Sequence, residues 1–161
     1  MAIVVSDTSP IRALAHLDLL DSLPALFGEV WVPPAVAGEL AAASVALPGE
    51  PAFRVRAPGN ANLVRRLRTN LDPGESEAIA LAVEVDADLI LIDEARGRAV
   101  AESLGLEPRG ALGILVRAKA AGIVPAVAPL IVRLRAELNF RLSDDLVAGV
   151  LALAGETAAG P

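Results

Sequence analysis

Hydrophobic and polar positions alternate along the chain with two different periods. The short apolar runs "AIVVS" (2–6), "EVWVP" (29–33) and "ADLILID" (87–93) have the length and β-branched content of strands buried on both faces. Between them, apolar residues recur every three or four positions. Ile11, Leu14, Leu17 and Leu20 predict a helix from Pro10 to about Leu23, and residues 33–43, opened by proline, predict another. Residues 61–70, 71–85, 94–104 and 110–122 read the same way, and two further helices follow Pro125 and Ser143. Gly105 is placed to end the 94–104 helix as a left-handed cap. Residues 44–60 carry Pro48, Gly49, Pro51, Pro58 and Gly59 and form the loosest stretch, with room for a short edge strand at Phe53–Val55. Wholly apolar strands alternating with helices imply an α/β domain with a parallel sheet covered on both faces.

Composition narrows this picture. A chain of 161 residues suits one domain with a sizeable core. Apolar residues make up 54% but aromatics only 2%, so Ala, Val, Leu and Ile must build that core. The lack of cysteine excludes disulfides, thiolate metal sites and cysteine nucleophiles, and fits a reducing cytosol. No apolar run is long enough to span a bilayer, and no basic segment leads into a signal-type core, so a soluble cytoplasmic protein without membrane partners is expected. The net charge of −6 argues against non-specific nucleic-acid binding, yet apart from Lys119 every basic residue is Arg, the better fork for phosphate.

The acids carry the chemistry. In an open parallel sheet the cleft lies beyond the carboxyl ends of the strands. Asp7 ends the first strand and Asp93 the third, so two strands deliver a carboxylate to one edge. Glu39 lies in the helix after "WVPP", where Ala35, Val36 and Leu40 should turn it toward the sheet, and Glu75 and Glu77 open "GESEAIALA". Gathered carboxylates repel one another and call for a cation. Oxygen donors without Cys or a second His select Mg²⁺ or Mn²⁺, which suits hydrolysis of a phosphodiester. Each acid also has a structural explanation: Asp93 as a helix cap, Glu39 as a solvated helix residue, and Glu75 as the partner of Asp72 in a capping box. The last leaves Glu77 as the freer carboxylate. Asp7 is the least explained, because Ser9 can cap and Pro10 can start the helix. The chain has no G-x-x-x-x-G-K-[ST] or G-x-G-x-x-G loop. His16 reads as a partly exposed helix residue, no Ser-His-Asp set can be built on it, and Ser9 stands where a phosphoaspartate phosphatase needs a second Asp. "RRLR" (65–68) reads first as a solvated face, and second as an RNA-contacting patch.

"IVVSDTSPI", "VWVPPAVAGEL", "LDPGESEAIALA", "LILIDEARGRAVAESLGL" and "GALGILVRAKAAGIV" occur in the order seen in PIN-domain proteins. The chain resembles most the predicted nucleic-acid-binding subfamily related to VapC-type toxins. The resemblance covers nearly all of 1–161 and implies a single PIN-like domain with C-terminal helices from about 125 and a three-layer α/β/α sandwich. It further implies a Mg²⁺- or Mn²⁺-dependent endoribonuclease that cuts single-stranded RNA, forms a homodimer and is the toxin of a pair with a small antitoxin. Carried over residue by residue, Asp7 matches the family's first acid, Glu39 the second and Asp93 the last, with Glu94 a lesser alternative to Asp93. Counting back from "IALA" makes Glu75 the third acid, against the capping argument that favours Glu77. Arg96 and Arg98 begin close to the acid-bearing edge and are the candidates for substrate phosphate, with Arg65, Arg66 and Arg68 as an outer patch. The alternative is a PIN-fold module that binds RNA or protein without cutting. A small-molecule hydrolase or phosphatase is a third reading, by fold analogy alone.

Overall fold

The computed structural model describes residues 2–157; residues 1 and 158–161 of the expected 1–161 domain lie outside the described residues. Five parallel strands, β1 (Ala2–Ser6), β2 (Gly28–Val32), β3 (Phe53–Val55), β4 (Leu89–Leu91) and β5 (Pro108–Arg109), form one sheet in the order β3-β2-β1-β4-β5. Between and after them run α1 (Thr8–His16), α2 (Ser22–Phe27), α3 (Pro34–Ala42), α4 (Ala61–Leu67), α5 (Pro73–Glu84), α6 (Ala95–Ser103), α7 (Ala111–Ala120), α8 (Ala128–Glu137) and α9 (Asp144–Leu153).

Both faces of the sheet are buried at its centre, while toward β3 one face carries the partly exposed Glu29–Arg54 pair. Successive strand residues divide between two cores: Val4, Val30, Val32, Leu89 and Leu91 pack with α1, α2, α3, α7, α8 and α9, while Val5, Ile90 and Ile92 pack with α5 and α6. Three layers result, with the α/β/α architecture expected. Among the described residues no helix is long and apolar enough to cross a membrane.

The structure corrects the sequence reading in a few places. The single helix expected over 10–23 is two: α1 ends at His16, Asp18 adopts φ 57°, and α2 starts again at Ser22. The leucine periodicity ran through the break because Leu17 is buried in the same core as Ile11 and Leu14 without being helical. Ser9 is not the cap of α1. The helix begins two residues earlier than expected, at Thr8, and Pro10 falls in the first turn, where its missing N–H has no helical partner to lose. β5 was not foreseen; it is two residues long and contains a proline. Its position at the sheet edge tolerates that residue. The cap at Gly105, with φ 81°, and the edge strand at 53–55 are as expected.

Strand order places the chemistry. The chain runs outward from β1 through β2 to β3, then returns to the other side of β1 for β4 and β5. The order therefore reverses between β1 and β4, and the crevice of an open parallel sheet lies at such a reversal, beyond the strands' carboxyl ends. Asp7 follows β1 and Asp93 lies two residues past β4.

Candidate functional site

Helices return antiparallel to the strands, so the N-termini of α1, α3, α5, α6 and α7 all open toward this edge. Each brings unpaired N–H groups and a positive dipole end, which favour carboxylates. The segment Ser6–Ser9 lies at the centre. The Ser6 hydroxyl donates to the Asp7 carbonyl (2.8 Å), the Thr8 hydroxyl to Glu39 Oε2, and the Ser9 hydroxyl to Asp93 Oδ2 (2.9 Å). Asp7 occupies the N-cap position of α1, yet its side chain makes no capping hydrogen bond. It is only 5% exposed. Its carboxyl is pushed up to about 8, first by burial and then by the charges of Asp72, Glu75 and Glu39, with the Thr8 N–H opposing.

Gly74 lets α5 come down onto this group. A Cβ at Gly74 would stand 2.7 Å from Glu39 Oε2 and 3.1 Å from Asp7 Oδ1, so two carboxylates flank one methyl-sized space above the helix start. Glu75 follows. Its N–H donates to Asp72 Oδ1 (2.8 Å), and its Oε1 accepts from Asp72 N–H (3.3 Å), completing the expected capping box. That uses one oxygen. Oε2 is buried without a partner, 2.6 Å from where a Cβ would stand at Gly97 in the first turn of α6. Burial, and then the Asp72 charge, raise the Glu75 carboxyl to about 7.

Glu77 and Glu75, the two candidates for the third acid, are placed differently. Glu77 Oε1 accepts from Ala35 N–H (3.2 Å) and so holds the start of α3, while Glu75 keeps a free oxygen. Side chains two apart on a helix diverge, and here the capping residue at the third helical position points one oxygen back to its cap and the other into the site. Asp93 is held by two donors, Ser9 and Ala111 N–H (2.8 Å), so it caps α7 rather than its own following helix. Its carboxyl is nonetheless raised, chiefly by burial. Glu94, the lesser alternative, is exposed at the N-cap of α6. Arg98 Nη1 and Asp93 Oδ1 both stand beside Gly110, 3.4 and 2.8 Å from its absent Cβ position, and Arg98 offsets part of the Asp93 shift. Arg96 Nη1 donates to the Asn70 carbonyl (3.3 Å), just before α5. Neither pairs with Glu94 or Glu102 among the described residues.

The structure thus brings Asp7, Glu39 and Glu75 together, with Asp93 joined through Ser9 and Glu77 holding the start of α3 by one oxygen. Asp72 was read from sequence only as a cap. It is the strongest of the neighbouring charges acting on Asp7. The sequence signal was its place at the same helix start as Glu75. Among the described residues no three acidic or histidine side chains converge tightly enough to cage an ion as they stand. Glu39 is turned to Thr8 and Glu75 to Asp72. In chemistry the residues still fit a hard divalent cation: every donor is oxygen, one buried carboxylate oxygen has no partner, and the Asp7 carboxyl is raised first by its burial and then by the neighbouring acids.

The family DUF3368, described as a PIN domain, matches residues 3–156. No curated protein matches the chain. Among solved structures, a PilT N-terminus domain protein, SSO1118, from the hyperthermophilic archaeon Sulfolobus solfataricus P2 aligns with 17% identity and a TM-score of 0.49, covering 71% of this chain and 92% of that one.

Proposed function

The chain belongs to the PIN-domain family, whose fold is of nuclease type, and on that premise we propose that it is a Mg²⁺- or Mn²⁺-dependent endoribonuclease acting on single-stranded RNA. The observation that carries this reading is the set of carboxylates at the β1/β4 reversal: Asp7 and Glu39 on either side of Gly74, and Glu75 with a buried, partnerless oxygen. Asp7, Glu39 and Glu75 would hold the cation, with Asp93 as the fourth acid. The bound ion would neutralise charge on the scissile phosphate and make water nucleophilic at neutral pH.

The chain's own residues do the rest. Thr8 and Ser9 hold Glu39 and Asp93 by their hydroxyls, so two acids keep fixed orientations before substrate arrives. Arg98, beside Asp93, is aimed at the same edge and offers a fork for a phosphate oxygen. Arg96 offers a second cation on the rim. Two further parts of the reading follow the subfamily resemblance: that the protein acts as a homodimeric toxin and that a small antitoxin restrains it.

The test is cleavage of an unstructured RNA. Wild-type protein should cut it with Mg²⁺ or Mn²⁺ and not with chelator. Asp7→Asn should lose the cutting while keeping the fold and the ability to bind RNA. RNA bound by the wild type and left intact with either metal would replace this reading with the module that binds without cutting.

A further inference from the structure

The arginines of this protein fall into two groups. Arg54, Arg109, Arg133 and Arg135 are ion-paired, with Glu29, Glu107, Glu137 and Asp144, and Arg56 and Arg117 lie over the rings of Trp31 and Phe27. Apart from Arg12 and Arg141, every arginine without an acidic or aromatic partner among the described residues lies on α4, on its C-cap or on α6: Arg65, Arg66, Arg68, Arg96 and Arg98.

Folding accounts for Leu67 of α4, which packs against the core of α5, and for the Asn60 cap, but not for the three arginines. The helix is seven residues long, none of them buried, and Arg65, Arg66 and Arg68 are all exposed. A cation in a helix's last turn favours the dipole, but Arg65 and Arg68 stand three apart on one face, where like charges repel. The chain also continues directly from these arginines to the acidic site. Arg68 is two residues before Asn70, a reach of at most about 7 Å, and the Asn70 carbonyl accepts the bond from Arg96. Arg98 then stands beside Asp93. Exposed arginines on α4 and its C-cap thus lead along the chain to Asn70, where Arg96 is bonded, and Arg98 stands beside the acid Asp93.

The carboxylates repel phosphates, and the whole chain carries −6, so a polyanion needs a local positive field to reach them. We propose that Arg65, Arg66 and Arg68 form a phosphate track that, continued by Arg96 and Arg98, leads single-stranded nucleic acid into the acidic site. The inference rests on the reading of that site as a nuclease centre. The track binds the backbone and carries no sequence preference of its own. It acts on substrates long enough to reach from α4 to the acids, and leaves short ones unaffected.

The experiment compares wild type with the triple variant Arg65→Gln, Arg66→Gln, Arg68→Gln and with the corresponding triple Arg→Lys variant. Binding of a labelled, unstructured long RNA is measured against salt in an Asp7→Asn background, and cleavage of long and short RNA in the active background. The Gln variant should keep its thermal stability, and its log K against log salt should flatten by about 2 for three lost contacts on a single strand. KM for long RNA should rise at least tenfold with kcat unchanged, short RNA should be cut as before, and the Lys variant should restore most of the binding. Unchanged affinity and salt slope in the Gln variant would overturn the track while leaving the nuclease reading intact. A wild type that never cuts RNA but loses the same salt slope on Gln substitution would overturn the nuclease reading while the track stands.

Discussion

Two of the carboxylates at helix N-termini in this protein meet opposite fates. Glu156, beyond the end of α9, accepts from Val127 N–H (2.8 Å), Ala128 N–H (3.0 Å) and the Lys119 ammonium (2.9 Å), and the same ammonium reaches the Ala154 carbonyl. Those donors, the Val127 N–H foremost, hold its carboxyl down at about 2. Asp7 lies buried at the start of α1 with no cation beside it, and its carboxyl rises to about 8, first through that burial and then through three acids close by. The fold can satisfy a carboxylate fully where doing so latches the C-terminal helices. At the β1/β4 reversal the same means are withheld, and the donors that are present orient Glu39, Asp93 and Glu77 without neutralising the group as a whole. An acid cluster of this kind lacks a positive charge that the chain does not supply.

After the loss of cutting in Asp7→Asn, the largest effect is expected at Glu75. If its free oxygen belongs to the site, Glu75→Gln should reduce metal-dependent cleavage by more than the about hundredfold loss typical of outer partners of a metal. Glu77→Gln should weaken the start of α3 and cost far less activity. Equal, large losses from both, measured as kcat/KM on the same RNA, would put Glu77 back in the centre and break the contrast between capping and free oxygens.

Gly97→Ala tests the close approach from the other side. The new Cβ would stand 2.5 Å from Ile92 Cδ1 and 2.6 Å from Glu75 Oε2, so both must move. Overpacking of this order costs about 1–3 kcal/mol, which outweighs the gain of about 1 kcal/mol from placing Ala in a helix. Chemical denaturation should show the net loss, and cleavage should fall with it. An Ala variant that is more stable than wild type would mean that Glu75 is not pressed against α6.

pH separates the two regions by sign. Asp7 and Glu75 have raised carboxyls, so without metal the folded protein holds protons that the unfolded chain releases. Stability should therefore fall as pH rises from about 4, toward about 7 for Glu75 and about 8 for Asp7. Glu156 behaves in the opposite way: its contribution is present above the ordinary carboxylate range and disappears as pH falls toward about 2. A melting temperature in chelator that climbs between pH 5 and 8 would remove the basis for unneutralised acids at the site. The smallest effect belongs to Glu156→Gln. It should lower the melting temperature slightly and leave cleavage of RNA unchanged, because the latch touches none of the acids.

How far the sequence could be read follows from the range of the interactions involved. The parallel sheet was legible because its central strands β1 and β4 are apolar apart from Ser6. Asp7 was singled out because Ser9 and Pro10 made it redundant as a cap; the structure leaves Asp7 without a capping bond, but for another reason, since Ser9 does not cap and its hydroxyl goes to Asp93 across 84 residues. The capping box at Asp72–Glu75 was also legible, but treating a carboxylate as one acceptor led to the choice of Glu77. Glu75 has two oxygens, and only the packing of α6 through Gly97 shows that the second is stranded. The break after His16 and the two-residue β5 escaped because burial, not helical period, sets Leu17, and because pairing with β4 alone defines Pro108–Arg109.

The central claim is that the acids around Asp7 are short of a cation, and thermal unfolding near pH 8 with and without Mn²⁺ tests it most directly. Wild-type protein should melt at a higher temperature with Mn²⁺ than with chelator. Asp7→Asn should already be more stable than the wild type in chelator, by on the order of a few kcal/mol at most, and should gain little from the metal. An Asp7→Asn protein about 1 kcal/mol less stable than wild type, as when a helix cap is lost, with an undiminished response to Mn²⁺, would contradict the account.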